Sequence, residues 1–130
     1  MATKWVLYNG KRVHPDLLEP LSKIPKTVLQ YMKPRVTQGY GFAAASKGTH
    51  STGHAVDYTT RGLTNEQIRT AVEAMQKAGF AVVLRLQNEL GPGNPEHLHT
   101  ALMGFSNSRE VHQVTLPGGR HHIDAKLRNR

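Results

Sequence analysis

Hydrophobic positions along this chain change period several times, and each change predicts a different element. Near the start, "WVLYNGKRVHP" carries apolar residues on both sides of Asn9-Gly10, the pair favoured by tight hairpin turns, so a β-hairpin is expected there. In "PDLLEPLSKIPKTVLQYMKP", Leu17, Leu18, Leu21, Ile24, Val28, Leu29 and Met32 recur at helical spacing and supply a buried face. Pro15, Pro20, Pro25 and Pro34 cut that segment into short pieces. "RVTQGYGF" reads as a brief strand that runs into a Gly/Ala/Ser loop over 41–49.

In "HAVDYTT" the period falls to two. Ala55, Asp57 and Thr59 alternate with Val56, Tyr58 and Thr60, which predicts a strand with one face apolar and the other bearing His and Asp chemistry. "LTNEQIRTAVEAMQKAGF" is the clearest helix. Thr64 and Gln67 have the spacing of a capping box, Ile68, Val72 and Met75 form a stripe, and Gly79 is a natural stop. "FAVVLRLQ" is a strand buried on at least one face, "NELGPGNPE" a loop, and "HLHTALM" another strand. A second hairpin is expected around Pro117-Gly118-Gly119, within a C-terminal segment of about 109–130 whose last residues fray.

This order of short strands and helices predicts one α+β domain over 1–130, with a largely antiparallel central sheet and helices packed on it. A chain of 130 residues can bury a core without covalent staples, and it has no cysteine, so disulfides and thiolate metal sites are excluded. Any metal must be held by imidazole and carboxylate. No apolar run approaches the ~20 residues of a membrane span, and the N-terminal apolar patch is too short for a signal-peptide core. Synthesis in a cytoplasm is expected, with no membrane insertion.

The net charge of +8, histidines neutral, favours anionic partners. With one Trp and three Phe there is no basic–aromatic strip on which bases would stack, so nucleic acid is disfavoured as a partner. Trp5, Tyr8 and Tyr40 read as core or rim packing, and His121, His122 and Asp124 as a solvated strand end.

"GTHSTGHAVDYTT" and "PEHLHTAL" hold the chemistry. His50 lies at a loop end and Asp57 within the following strand, and the chain can bend between them at Gly53. His97 and His99 project to one face of their strand, and Glu96 stands at its entrance, three residues before His99. Zinc in a catalytic site takes three protein ligands and a water, with a nearby carboxylate free to take the proton. Spacing alone leaves open which histidine of each pair would bind.

The string His50, Gly53, Ala55, Asp57 resembles the His-x-x-Gly-x-Ala-x-Asp core of the zinc peptidases of the D-alanyl-D-alanine carboxypeptidase and dipeptidase type. That family also includes the L-alanyl-D-glutamate endopeptidases used as phage endolysins. Glu96 and His99 resemble its second motif, and the likeness covers roughly 35–103. The resemblance implies His50, Asp57 and His99 as zinc ligands, Glu96 as catalytic base and acid, and His97 as a group that binds substrate or the oxyanion. It implies hydrolysis of a peptide bond in bacterial peptidoglycan, acting at the cell wall. The alternative is a phage capsid or tail protein on the same fold, resident in the virion with other virion proteins as partners. Two positions depart from the family pattern: Gly48 stands where a serine is usual, and Gly41 where an arginine anchors substrate. Arg35 and Arg85 are the candidates to replace that guanidinium.

Overall fold

A computed structural model of the chain describes residues 4–41, 50–89, 91–104, 126–128 and 130. The part of the 41–49 loop beyond Gly41, with Gly48, and the hairpin expected around Pro117 fall outside them, as do His121, His122 and Asp124.

The fold is α+β. Strands β1 (Val6–Tyr8) and β2 (Lys11–Val13) form the predicted hairpin, with Asn9 and Gly10 both at positive φ, 49° and 79°, as the tight turn requires. The proline-cut segment gives α1 (Leu18–Ser22) and α2 (Lys26–Met32), flanked by single 3-10 turns at Pro15–Leu17 and Lys33–Arg35. Each proline falls in a first turn or cap, where its missing N–H has no intrahelical partner to lose. Leu17, Leu21, Ile24, Val28 and Met32 enter the core as expected, but Leu18 faces solvent. The break between the 3-10 turn and α1 interrupts the helical count, so Leu17 takes the inward position.

Four strands make the main sheet: β3 (Val36–Gln38), β4 (Ala55–Thr59), β5 (Phe80–Arg85) and β6 (His97–Leu102), ordered β3-β4-β6-β5 and antiparallel at every junction. Between β4 and β5 runs α3 (Asn65–Ala78), with the capping box formed: Gln67 N–H donates to Thr64 Oγ1 at 3.1 Å, and Thr64 N–H to Gln67 Oε1 at 2.9 Å. Ile68, Ala71, Val72, Met75 and Ala78 bury one side of this helix in the core that also takes Val56, Tyr58, Val82, Leu84 and Leu98 from the sheet. Each fully buried large apolar side chain contributes about 1.5–3 kcal/mol. The Tyr58 hydroxyl donates to that of Tyr8 at 3.0 Å, tying sheet to hairpin.

The register sets what the other face carries. Asp57 stands opposite His99, Thr59 opposite His97, Val83 opposite His99 and Arg85 opposite His97. Paired residues share a face, so Asp57, Thr59, His97, His99, Val83 and Arg85 lie together, away from the α3 core.

The chain end is not frayed, contrary to expectation. Leu127 is buried, Lys126 donates to the Leu84 carbonyl, and the Arg130 guanidinium donates to the carbonyls of Leu63 and Thr60 at 2.6 and 3.0 Å. One apolar anchor and a saturated guanidinium hold it against β5 and the start of α3.

Candidate metal centre

His50 opens a 3-10 turn, His50–Thr52, that leads into β4. Two glycines let this turn sit where it does. At Gly53 φ is +79°, and a Cβ would run into the Trp5 ring and come within 3.0 Å of the His14 nitrogen. At Gly39 a Cβ would collide with the Arg12 carbonyl oxygen. The hairpin therefore packs directly against backbone on both sides of the site, with His14 N–H donating to the Gly53 carbonyl at 2.8 Å and Tyr40 N–H to that of Arg12 at 2.7 Å. Trp5 packs on Tyr40 with centroids 4.4 Å apart and planes tilted by 42°, which places both in rim packing as anticipated.

The structure brings His50, Asp57 and His99 together. His50 Nε2 lies 3.1 Å from Asp57 Oδ1 and His99 Nδ1 lies 2.8 Å from the same oxygen, with ring centroids 5.0 Å apart. His50 is fully buried and His99 is 5 % exposed. On its far side, His50 Nδ1 is 2.8 Å from the Gly39 carbonyl. A carbonyl only accepts, so Nδ1 carries the proton, and the neutral ring turns the Nε2 lone pair onto the carboxylate. Two acceptors at that distance repel unless a positive particle lies between them: a proton that makes the ring imidazolium, or a metal ion.

The donor set fits a metal. One ligand atom from each of the three residues lies within 4.8 Å of the others. A tetrahedron with bonds of ~2.0–2.1 Å has edges of roughly 3.3 Å, close to the two separations found. The Nδ1–H bond to a carbonyl is the orienting contact that metal-binding imidazoles usually make. The cluster can hold a metal ion. Burial alone would raise the Asp57 carboxyl, but hydrogen bonds from His50 and His99, and then their charge, outweigh it and hold the group well below the usual carboxylate range.

His97 joins this group at its edge, its Nε2 4.0 Å from Asp57 Oδ2, while Nδ1 donates to the Pro95 carbonyl at 2.9 Å. Glu96 is elsewhere. Its Oε1 accepts from the Thr60 hydroxyl and from Arg130 Nε, the latter at 2.6 Å. Three is an odd separation, so along an extended strand Glu96 and His99 take opposite faces. Glu96 instead lines an open cleft of about 800 Å³ with Thr59, Thr60, Arg61, Asn65 and Arg130. Thr59 is cross-strand partner to His97, so cleft and cluster adjoin at the end of β4.

Of the two candidate replacement arginines, Arg85 shares the cluster's face but is 5 % exposed and bonds Glu89 at 3.1 Å. Arg35 spends its guanidinium on the carbonyls of Tyr31 and Arg61. Gly41 adjoins the site through its N–H, which donates to the His50 carbonyl at 3.1 Å.

His14 and Asp16 had no sequence signal beyond a His-Pro-Asp run at a helix start, yet they meet His54. Among the described residues, no helix is long and apolar enough to cross a membrane. Family models, curated proteins and solved structures were all compared with the chain, and none matches it.

Proposed function

We propose that this protein is a zinc-dependent peptidase that hydrolyses a peptide bond in bacterial peptidoglycan. The observation that carries the reading is the convergence of His50, Asp57 and His99, with His50 Nδ1 bonded to a carbonyl and Nε2 directed at the carboxylate. Two imidazoles and one carboxylate, with no thiolate, suit zinc. Bound there, zinc would make its water acidic and polarise a carbonyl.

The remaining work falls to the chain. Asp57 places one oxygen within reach of both imidazoles, so the three would hold the ion together. Glu96 borders the cleft that would take the peptide, and we assign it the proton taken from water and returned to the leaving amine. That role requires its carboxylate to leave Thr60 and Arg130. His97 already donates Nδ1–H to Pro95, so the oxyanion-binding role requires its ring to be protonated. The positive net charge favours retention on an anionic wall.

Elemental analysis with a peptidoglycan digest, with and without chelator, tests the reading. Glu96→Gln should keep the metal and lose turnover, and His99→Ala should lose both. Digestion that chelator does not slow would overturn it.

A second reading, a virion structural protein with weak or no catalysis, is favoured by one contact. Arg130 pins Glu96, the one carboxylate offered as base, and position 41 is glycine rather than the arginine of the family pattern. A protein that loads metal, stays on particles and leaves every wall preparation intact is this case.

A further inference from the structure

The turn that carries His50 to Asp57 carries His54 to another carboxylate. His54 Nε2 lies 3.0 Å from Asp16 Oδ2, and His14 Nδ1 lies 3.3 Å from the same oxygen. The two imidazoles stack with centroids 4.2 Å apart and planes 24° from parallel. One ligand atom from each of the three residues falls within 4.8 Å of the others. His14 and Asp16 come from the end of β2 and the 3-10 turn after it. His54 comes from 38 residues further on, and it is 4 % exposed.

A hydrogen bond from His54 Nε2 to Asp16 accounts for one side of this group, but not for the approach of His14. Asp16 N–H donates to His14 Nδ1 at 3.0 Å, so in the neutral ring that nitrogen carries a lone pair. The same lone pair approaches the Asp16 carboxylate. As at His50, two acceptors meet where a cation would relieve them. His54 Nδ1 is bonded to the Thr52 hydroxyl at 2.9 Å, which fixes the ring and leaves Nε2 directed at Asp16. Asp16 is half exposed at 52 %, so water can complete the coordination shell.

We propose that His14, Asp16 and His54 form a second binding site, for a divalent transition-metal cation of the zinc type. The cation clamps the N-terminal hairpin to the turn that positions His50. Binding through His14 Nδ1 exchanges one backbone hydrogen bond for a metal bond. The Asp16 carboxylate and both rings are already in place, so little ordering is needed. The inference stands apart from the peptidase reading, because it concerns different ligands and requires no catalysis.

The test is equilibrium dialysis of the chelator-stripped full chain against Zn²⁺ alone, with bound metal counted by elemental analysis. Wild type should bind two equivalents, and Asp16→Asn and His54→Gln should each bind one. His99→Asn should also bind one, and the Asp16→Asn/His99→Asn double variant none. Circular dichroism checks the fold of each, and Asp16→Asn alters only a half-exposed side chain. Equal binding by wild type, Asp16→Asn and His54→Gln overturns the second site. If His99→Asn binds as much as wild type while Asp16→Asn binds one fewer, the second site stands and the peptidase reading falls.

Discussion

His50 donates its Nδ1 proton to the Gly39 carbonyl at 2.8 Å, and this one bond decides what its other nitrogen can do. With Nδ1 committed, Nε2 faces Asp57 either as the N–H of an imidazolium or as a lone pair that a metal ion would bridge to the carboxylate. Metal should therefore stabilise the fold. A ligand that binds only the native state adds about 2.7 kcal/mol at a hundredfold excess over its dissociation constant. Thermal melts with chelator and with Zn²⁺ should differ by several degrees, and the difference should shrink in His99→Ala. Equal melting temperatures in the wild type would show that the cluster does not load.

Arg130 makes the opposite kind of contact, a restraint. It holds Glu96 and caps the carbonyls of Thr60 and Leu63 at once. Hydrogen bonds to charged groups contribute about 1.5–3 kcal/mol, so Arg130→Ala should lose about that much in a denaturant melt. On the peptidase reading the same substitution frees the base, so turnover should rise in the variant even as stability falls. A variant that loses stability and gains no rate would put the proton with another group.

Acid should loosen the covered edge of β5. Burial alone would raise Glu89, but its bonds to Lys126 and Arg85 outweigh that and lower it below its ordinary 4.5. A carboxylate lowered in the folded state stabilises fully above its unfolded pKa, and that stability fades as pH falls through the folded value. Stability should thus decline as pH drops below about 4.5, and Glu89→Gln should flatten that limb while losing stability at neutral pH. An unchanged acid limb in the variant would remove Glu89 from the account.

Local patterns were legible in the sequence wherever the cause was local. Asn9-Gly10 specified its turn, Thr64 and Gln67 their cap, and the alternation through Asp57 the two faces of β4. The neighbourhood of the metal trio was legible because His50 and Asp57 lie in one short stretch and strand parity sets His97 and His99 on one face; the choice of His50 and His99 within each pair came from the resemblance and not from spacing. The remainder depends on packing between distant segments. Leu18 turns outward because a 3-10 turn breaks the helical count just before it. Arg130 is held by carbonyls of Thr60 and Leu63, and Glu96 by Arg130, so neither position could be read from neighbours in the chain. His14 and Asp16 reach His54 only because the hairpin packs against Gly53.

That packing yields the last prediction. Gly53 has both a left-handed φ of +79° and no room for a methyl group beside Trp5 and the His14 nitrogen. Gly53→Ala has to strain the backbone, at about 1 kcal/mol or more for a non-glycine residue held there, and also push the hairpin away from the turn. His50 and His54 flank this glycine, so the displacement should reach both imidazole clusters together. The variant should melt at lower temperature and bind Zn²⁺ more weakly at each site. Trp5→Ala in the same background removes the colliding ring, so it should restore part of the binding although it deletes a packing contact of its own. Zinc titrations of the single and double variants measure this directly. If the double variant binds no better than Gly53→Ala alone, the contact between hairpin and turn does not govern the ligands.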